Sequence, residues 1–233
     1  MSETPPPPNP PIPLVVVAID GPAGVGKSTV ARRLAARLAV PYVDTGAMYR
    51  ATALHLADLA IDPEDRAAVA TAVESMPLRL VLLAGGAQVE LGGERPGERL
   101  RRPEVAALTS RIAVHPEVRQ RLVALQQDFV RRHGGVMEGR DIGTVVAPET
   151  PFKFYLDATL AERTRRREAD GVREDLARRD RRDSERKTAP LMIALGATIV
   201  NNSGQTPKQT SECILAEIHR RLGPTADCVH PAP

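Results

Sequence analysis

The sequence has few cysteines and no long apolar run. Its two cysteines, Cys213 and Cys228, cannot form a disulfide framework and do not have the spacing of metal ligands. We therefore expect a reducing, cytoplasmic setting. No apolar run approaches the ~20 residues that a membrane-spanning helix requires. Residues 1–14 lack the charged and apolar regions of a signal peptide, so we expect no membrane association.

Aromatic side chains and net charge are also scarce. There are three Phe, three Tyr and no Trp, which argues against a platform that stacks single-stranded bases. The net charge of +3 is too small for a surface dedicated to coating nucleic acid. We therefore expect no nucleic-acid partner.

Lysine is rare, whereas arginine is abundant: the chain has 28 Arg and 4 Lys among 233 residues. The base composition of a genome can produce this ratio without functional meaning. Arginine is also the residue best suited to bidentate recognition of phosphate and carboxylate. The positions of the arginines must therefore decide between the two explanations.

Strand and helix patterns alternate between two predicted tails. Seven of the 21 prolines lie in residues 1–13, which cannot join a packed helix or a central strand, and residues 224–233 also resemble a tail. Between them, apolar runs predict strands at residues 14–20, 40–44, 136–138, 152–156 and 198–200. Helical spacing follows at residues 27–39 and 48–59, and a final helix starts after Thr206 and ends before Gly223. The alternation predicts an α/β domain over residues 14–223, with a parallel sheet flanked by helices.

One stretch departs from this alternation. Residues 78–83 and 88–91 have strand-like composition and are joined by a Gly-containing turn. We predict a small antiparallel insertion over residues 63–102. Insertions in α/β folds usually lie near the ligand site.

The strongest motif is GPAGVGKST at residues 21–29, between a buried strand and an amphipathic helix. It matches the phosphate-binding loop G-x-x-x-x-G-K-[ST], or P-loop, in which backbone N–H groups and a helix N-terminus surround an anion. We predict that the whole loop binds ATP: Gly21, Pro22, Ala23, Gly24, Val25, Gly26, Lys27, Ser28 and Thr29. Lys27 would reach the β- and γ-phosphates, and the Ser28 hydroxyl would bind Mg²⁺. The alternative, a plain Gly-rich turn, is disfavoured by the flanking elements.

Missing motifs narrow the class of P-loop protein. The sequence has neither the guanine-reading NKxD motif nor the LSGGQ motif of transporter ATPases. The strand-like FKFYLD ends in Asp157 without a following Glu, so a hydrolytic ATPase is poorly supported. A small kinase remains the best interpretation.

Three further motifs then point to one family: DTGAMYR at 44–50, EGRDIGT at 138–144 and RRDRRDSER at 178–186. Together with the P-loop they resemble the bacterial-type cytidylate kinases over about residues 15–222. The resemblance implies a P-loop kinase with a five-stranded parallel sheet, a nucleoside-monophosphate-binding insertion and an Arg-rich lid at about residues 160–190. It also implies Mg²⁺-dependent transfer of phosphate from ATP to CMP and dCMP by a monomer.

The resemblance also implies roles for single residues. Arg50, Arg140 and Arg186 would hold the acceptor phosphate, and Lys27, Arg140 and Arg186 would be catalytic. Each arginine could instead be part of a surface ion pair. For Arg140, which lies between Gly139 and Asp141 at a predicted strand end, we favour the functional role. The transfer would be direct and in line, without a covalent enzyme intermediate and without a general base if the acceptor phosphate is ionised.

The remaining implied contacts involve the base, the sugar and ATP. They comprise Ser110, Arg119 and Asp141 for the base, Thr45 as a nearby hydroxyl, Asp183 and Arg179 for the sugar, and Arg163 and Arg167 for ATP. On sequence alone, Ser110 and Arg119 look like ordinary helix-surface residues.

The segment at residues 163–186 contains ten Arg and seven carboxylates. This pattern fits either a solvated, ion-paired helix pair or a lid that excludes water from the reaction. Two other functions also stay open: a P-loop kinase for another acceptor, such as UMP or a sugar, and a nucleic-acid-binding ATPase that uses the Arg cluster.

Overall fold

The computed structural model describes residues 14–169, 171, 175–185 and 190–223, without the side chain of Arg182. Both predicted tails, residues 1–13 and 224–233, lie outside the described residues, as does Arg186. Within these ranges, no helix combines the length and apolar character needed to cross a bilayer.

Seven strands form two sheets. In chain order they are β1 (Val16–Asp20), β2 (Tyr42–Asp44), β3 (Leu78–Leu83), β4 (Gly86–Leu91), β5 (Gly135–Gly139), β6 (Phe152–Asp157) and β7 (Thr198–Asn201). The main sheet has five parallel strands in the order β2-β5-β1-β6-β7, and β3 and β4 form a separate antiparallel pair. The predicted α/β fold with a five-stranded parallel sheet is confirmed.

Eight helices and two short turns of helix complete the described chain. The helices are α1 (Lys27–Leu38), α2 (Thr45–Asp58), α3 (Arg66–Glu74), α4 (Pro103–Ile112), α5 (Pro116–His133), α6 (Leu160–Ala169), α7 (Leu176–Ser184) and α8 (Pro207–Leu222). A 3₁₀ turn covers Gly97–Arg101 and a π-helical turn covers Ile142–Val146. No element was predicted for α3, α4, α5 or the π turn.

Helix ends follow local capping chemistry. α2 begins at Thr45, three residues before the predicted start, because the Asp44 carboxylate accepts the Ala47 N–H and caps the helix. α8 begins as predicted after Thr206, whose side chain forms a reciprocal capping box with Gln209.

The central strand β1 is covered on both faces. Val17 and Ile19 belong to the cluster formed with α1 and α8, whereas Ala18 belongs to the cluster that contains Phe129 of α5. Successive side chains of a strand point to opposite faces, so a strand between two helical layers has to be apolar throughout. This explains the continuous apolar run that predicts it.

The hairpin of β3 and β4 shares a core with the helices near it. The apolar cluster that includes Met76 and Leu78 also contains Met48 of α2, Val105 of α4 and Leu122 of α5. The predicted insertion at residues 63–102 is therefore packed against the helical layer, and the hairpin itself confirms the predicted pairing of two antiparallel strands.

Candidate active site

The carboxyl ends of the parallel strands collect polar residues at one edge of the sheet. Asp20, Asp44 and Asp157 end β1, β2 and β6, and Arg140 and Asn202 follow β5 and β7. Ligands of α/β sheets bind outside this edge, where neighbouring connections run in opposite directions. This edge of the sheet is therefore the candidate site.

The P-loop connects β1 to α1, in the context that the sequence predicts. Gly21 has φ +146°, and a Cβ at this position would lie 2.2 Å from the Leu156 carbonyl oxygen of β6. Glycine is therefore required for the chain to turn so close to the neighbouring strand. In the first turn of α1, Ser28 is half-buried and Thr29 is exposed.

Lys27 lies inside the curve of the loop and is buried. Its Nζ donates hydrogen bonds to the carbonyls of Gly21 and Pro22, at 2.8 Å and 2.7 Å. Burial lowers the pKa of Lys27 well below its usual value, and the positive charge of Arg140 adds to this effect. The Glu138 carboxylate acts on this pKa in the opposite direction. Lys27 of the P-loop therefore lies within the electrostatic field of residues 138–141, the EGRD segment.

Side chains from α6 and from the segment after β7 donate hydrogen bonds to carbonyl groups of the P-loop. Asn202, after β7, donates from Nδ2 to the Val25 carbonyl at 2.8 Å, and Arg166 of α6 donates to the same oxygen at 3.2 Å. Arg163, also of α6, donates to the Ala23 carbonyl at 3.1 Å and pairs with Asp180 of α7 at 2.6 Å. Arg163 is buried, so the described structure gives it a loop-bracing role.

The segment after β5 continues into the π turn. Both oxygens of the Asp20 carboxylate accept backbone N–H groups there, one from Ile142 and one from Gly143, each at 2.8 Å. Burial raises the pKa of Asp20 to about 6, while these two hydrogen bonds lower it and the nearby Asp141 carboxylate raises it. A π-helical turn is itself a frequent feature of functional sites.

Arg119 and Asp141, both predicted to read the base, form a buried ion pair. Arg119 Nη2 donates to Asp141 Oδ2, and only 4% and 9% of the two side chains is exposed. The Arg119 guanidinium also lies 5.9 Å from the centre of the Tyr49 ring. The expectation that Arg119 looks like a surface residue is wrong, because α5 turns it inward toward the loop after β5.

The predicted phosphate and sugar residues also meet. Arg140 Nε donates to Asp183 Oδ2 of α7 at 2.8 Å, and the Asp183 side chain is buried. The positive charge of Arg179, on the same helix, also lowers the pKa of Lys27. The charged groups of α7 therefore reach both the P-loop and the EGRD segment.

A third set of polar contacts surrounds the N-terminal end of α2. Arg50 Nη2 donates to Asp44 Oδ2 at 2.8 Å. The buried Thr45 hydroxyl donates to the Glu138 carbonyl at 2.7 Å, and Tyr42 donates to Glu138 Oε1 at 2.6 Å. Burial, followed by the charge of Glu138, raises the pKa of Tyr42. These contacts tie β2 and α2 to the end of β5.

Two predicted residues have a simpler setting. Ser110 is half-buried in α4, a helix that packs against α2. Arg167 packs beside Gly24 of the P-loop. Arg186, which was predicted for the acceptor phosphate, lies outside the described residues.

Sequence reasoning missed several residues that build the site. Asp20, Tyr42, Glu138, Arg166 and Asn202 all hold site segments in place. A signal for two of them exists: Asp20 ends an apolar run and Asn202 follows one, and polar residues at those positions lie at the ligand-binding edge of a parallel sheet.

The arrangement can hold two anionic groups next to each other. One would contact the P-loop around Lys27, and the other would contact Arg140 and Arg50. Fixed cations around such groups stabilise charge that develops during phosphoryl transfer.

Comparison with known proteins identifies the family. A family model described as Cytidylate kinase matches residues 17–220. The cytidylate kinase of Corynebacterium glutamicum is 41% identical over 213 residues, covering 86% of this chain and 93% of that protein. The cytidylate kinase of Caldanaerobacter subterraneus is 40% identical over 217 residues, covering 88% and 95%. The bifunctional pantoate ligase/cytidylate kinase of Prochlorococcus marinus is 41% identical over 228 residues, covering 91% of this chain and 45% of that longer protein. With its P-loop, its EGRD segment and these matches over most of its length, the chain belongs to the cytidylate kinase family.

Proposed function

We propose that this protein is a phosphotransferase that transfers the γ-phosphoryl group of ATP to CMP and dCMP, forming ADP and CDP or dCDP. The observation that carries the proposal is the proximity of the donor loop to the acceptor arginine. Asp20, directly before the P-loop, accepts the Ile142 and Gly143 N–H groups just after Arg140, and the positive charge of Arg140 lowers the pKa of Lys27. Two polyanions bound at these residues would be adjacent, as direct transfer requires.

The donor side would consist of the P-loop. Lys27 would neutralise charge on the β- and γ-phosphates, and the backbone N–H groups of the loop would face the phosphate oxygens. Mg²⁺ takes oxygen ligands, and the half-buried Ser28 supplies a hydroxyl of this kind beside the buried Lys27. Bound with ATP through Ser28, the ion would neutralise part of the phosphate charge.

The acceptor side would position the phosphate that attacks. Arg140 and Arg50, with Arg186, would hold the CMP phosphate so that one of its oxygens faces the γ-phosphorus. The displacement would be in line and would leave ADP, with no covalent enzyme intermediate. Because an ionised phosphate oxygen is already a nucleophile, no general base would be needed.

The base would be recognised at the buried pair. Arg119 holds the Asp141 carboxylate in place, so Asp141 would accept from an exocyclic amino group while Arg119 donates to acceptors on the base. Ser110 and the Thr45 hydroxyl would complete this side. A site with fixed hydrogen-bond partners rejects a base that leaves them unpaired.

The remaining assignments concern the sugar, ATP, the proposed lid and the oligomeric state. Asp183 would accept from the sugar hydroxyls, with Arg179 beside it. Arg167 would contact ATP, and Arg163, which donates to the Ala23 carbonyl and pairs with Asp180, would support ATP binding through the P-loop. Residues 160–190 would act as a lid that excludes water, and residues 63–102 would form the monophosphate-binding insertion. We propose that the protein works as a cytoplasmic monomer.

A coupled assay of ADP formation tests the function, with CMP, dCMP, UMP and AMP as acceptors. We expect CMP and dCMP to be the best acceptors. Lys27→Ala should lower kcat by about 10² or more. The matched control is Lys208→Ala on α8, whose exposed lysine lies 3.9 Å from Glu212, and its activity should equal that of the wild type.

Two outcomes would contradict the proposal. A preference for UMP or AMP would overturn the base assignment. ATP turnover that RNA or DNA stimulates, in a protein that does not phosphorylate CMP, would replace the kinase with a nucleic-acid-dependent ATPase.

A further inference from the structure

Asp20 is a buried carboxylate that the predicted reaction does not use. It is the last residue of β1, directly before Gly21 of the P-loop, and 4% of its surface is exposed. Both of its oxygens bind the segment after β5: Oδ1 accepts the Ile142 N–H and Oδ2 accepts the Gly143 N–H, each at 2.8 Å.

The two N–H groups open the π turn that follows Arg140 and Asp141. A carboxylate is the side chain that can accept from two neighbouring N–H groups at once, and its charge strengthens both hydrogen bonds. Gly143 permits the close approach, because a Cβ there would lie 3.3 Å from Asp20 Oδ2 and 3.1 Å from the Ala194 Cβ. The contact therefore needs a carboxylate at position 20 and a residue without a side chain at position 143.

The strand that carries Asp20 is the central strand of the five-stranded sheet and pairs with a neighbour on each side. Asp20 is in register with Gly139 of β5 on one side and with Tyr155 of β6 on the other. The segment containing Arg140 and Asp141 is thus attached to the strand end from which the P-loop also starts. Residues that contact a ligand are placed precisely when other side chains on rigid helices or strands hold them in position.

Burying this carboxylate is unfavourable for folding. Desolvation raises its pKa to about 6, despite the two hydrogen bonds that favour the charged form. Buried groups with perturbed titration are concentrated at functional sites. The geometry and this cost together indicate a role in the site.

We propose that Asp20 is a positioning residue for the phosphoryl acceptor. Its carboxylate holds the backbone after β5 so that Arg140 and Asp141 keep their places relative to Lys27. The inference rests on the proposed function, because it takes Arg140 and Asp141 as the residues that contact CMP.

The P-loop also has supports that do not involve the Asp20 carboxylate. Lys27 Nζ binds the Gly21 and Pro22 carbonyls, and Asn202 binds the Val25 carbonyl. Loss of the Asp20 carboxylate should therefore weaken CMP binding while ATP binding is retained.

Asp20→Asn is the direct test, because asparagine has the same shape but only one acceptor oxygen. Its NH₂ group would face a backbone N–H, and the loop would have to move. We expect the KM and the calorimetric Kd for CMP to rise about tenfold or more. The KM for ATP should change by less than about threefold. The matched control is Asp128→Asn, which removes an exposed carboxylate of α5 that pairs with Arg132, and it should resemble the wild type.

Hydrogen exchange gives a readout that does not depend on catalysis. A peptide covering residues 140–146 should exchange faster in Asp20→Asn than in the wild type or in Asp128→Asn. Gly143→Ala keeps Asp20 but crowds the contact, so it should weaken CMP binding and leave ATP binding intact. This second variant keeps the test decisive if Asp20→Asn folds poorly.

Three results would overturn the inference: unchanged affinity for CMP, equal losses for CMP and ATP, or unchanged exchange over residues 140–146. Failure of the wild type to phosphorylate CMP would instead overturn the proposed function. The hydrogen-exchange experiment would still decide whether the Asp20 carboxylate holds residues 140–146 in place.

Discussion

Arginines at the site are held by aspartates. Arg119 pairs with Asp141 and Arg140 with Asp183, both with little exposure. A carboxylate that binds a guanidinium fixes the plane of its donors. The two aspartates therefore orient the guanidinium groups of Arg119 and Arg140 within the protein itself, and the abundance of arginine has a structural role at these positions.

The Arg119–Asp141 pair gives the first prediction. Arg119→Met removes the guanidinium that pairs with the buried Asp141 carboxylate and should lower the free energy of unfolding by about 3–5 kcal/mol. The double variant Arg119→Met/Asp141→Asn should lose clearly less than the sum of the two single variants. Urea unfolding of the wild type, both single variants and the double variant measures this coupling; additive losses would show that the pair does not act as a unit.

Asp20 gives a prediction about pH. Because its pKa rises from 3.8 in the unfolded chain to about 6 in the fold, the folded state binds more protons than the unfolded state between these values. The contribution of Asp20 to stability is therefore fully present below pH 3.8 and is lost as the pH rises through about 6.

The measurement compares wild type with Asp20→Asn by urea unfolding from pH 4 to pH 7.5. The stability of the variant relative to the wild type should increase with pH by up to about 3 kcal/mol and then stay constant above pH 7. A difference that does not vary with pH would show that Asp20 keeps an ordinary pKa.

At the scale of elements, the P-loop is fixed from outside as well as by its own glycines. Val25 accepts from Asn202 after β7 and from Arg166 of α6. Segments far apart in sequence therefore set the shape of the P-loop, and α6 links it to the Arg-rich region.

Asn202→Ala tests this support. The Val25 carbonyl would lose the nearer of its two donors and keep only Arg166, so the P-loop should become less well ordered. We expect the KM for ATP to rise about tenfold, while the Kd for CMP stays within error. Steady-state kinetics and calorimetry measure the two values. Asn201→Ala, at the exposed end of β7, is the control; equal effects of the two substitutions would contradict the assignment.

At the scale of the whole molecule, the predicted insertion and the helical layer share one core. Met76, just before β3, is 1% exposed and belongs to the cluster that contains Leu122 of α5. Folding of residues 63–102 should therefore be coupled to that of α2, α4 and α5, although the hairpin is a separate sheet.

Met76→Ala tests the coupling. The cavity should lower the free energy of unfolding by about 2–5 kcal/mol, with one transition seen by both circular dichroism and tyrosine fluorescence. Leu82→Ala, at a side chain of β3 that is 47% exposed, should change stability by less than about 0.5 kcal/mol. A separate early transition in the variant would show that the insertion unfolds alone.

Elements with strong local signals were predictable. β1 is apolar because both of its faces are covered, and α8 carries its cap and its terminating Gly223 in the sequence. α2 begins earlier than its apolar spacing indicates, because the cap at Asp44 depends on how β2 delivers the chain. The burial of Arg119 was not predictable, since its environment comes from a loop that lies 22 residues further along.

The sequence by itself determined the class of fold, the P-loop and the family. Strand and helix periodicity and the spacing of GPAGVGKST express local steric rules, which a short stretch of residues carries completely. Only the tertiary structure decided which groups support one another. Asp20 reaches Gly143 across 123 residues, and Asn202 reaches Val25 across 177. The physical reason is that parallel strands bring their carboxyl ends together at one edge, whatever the length of chain between them.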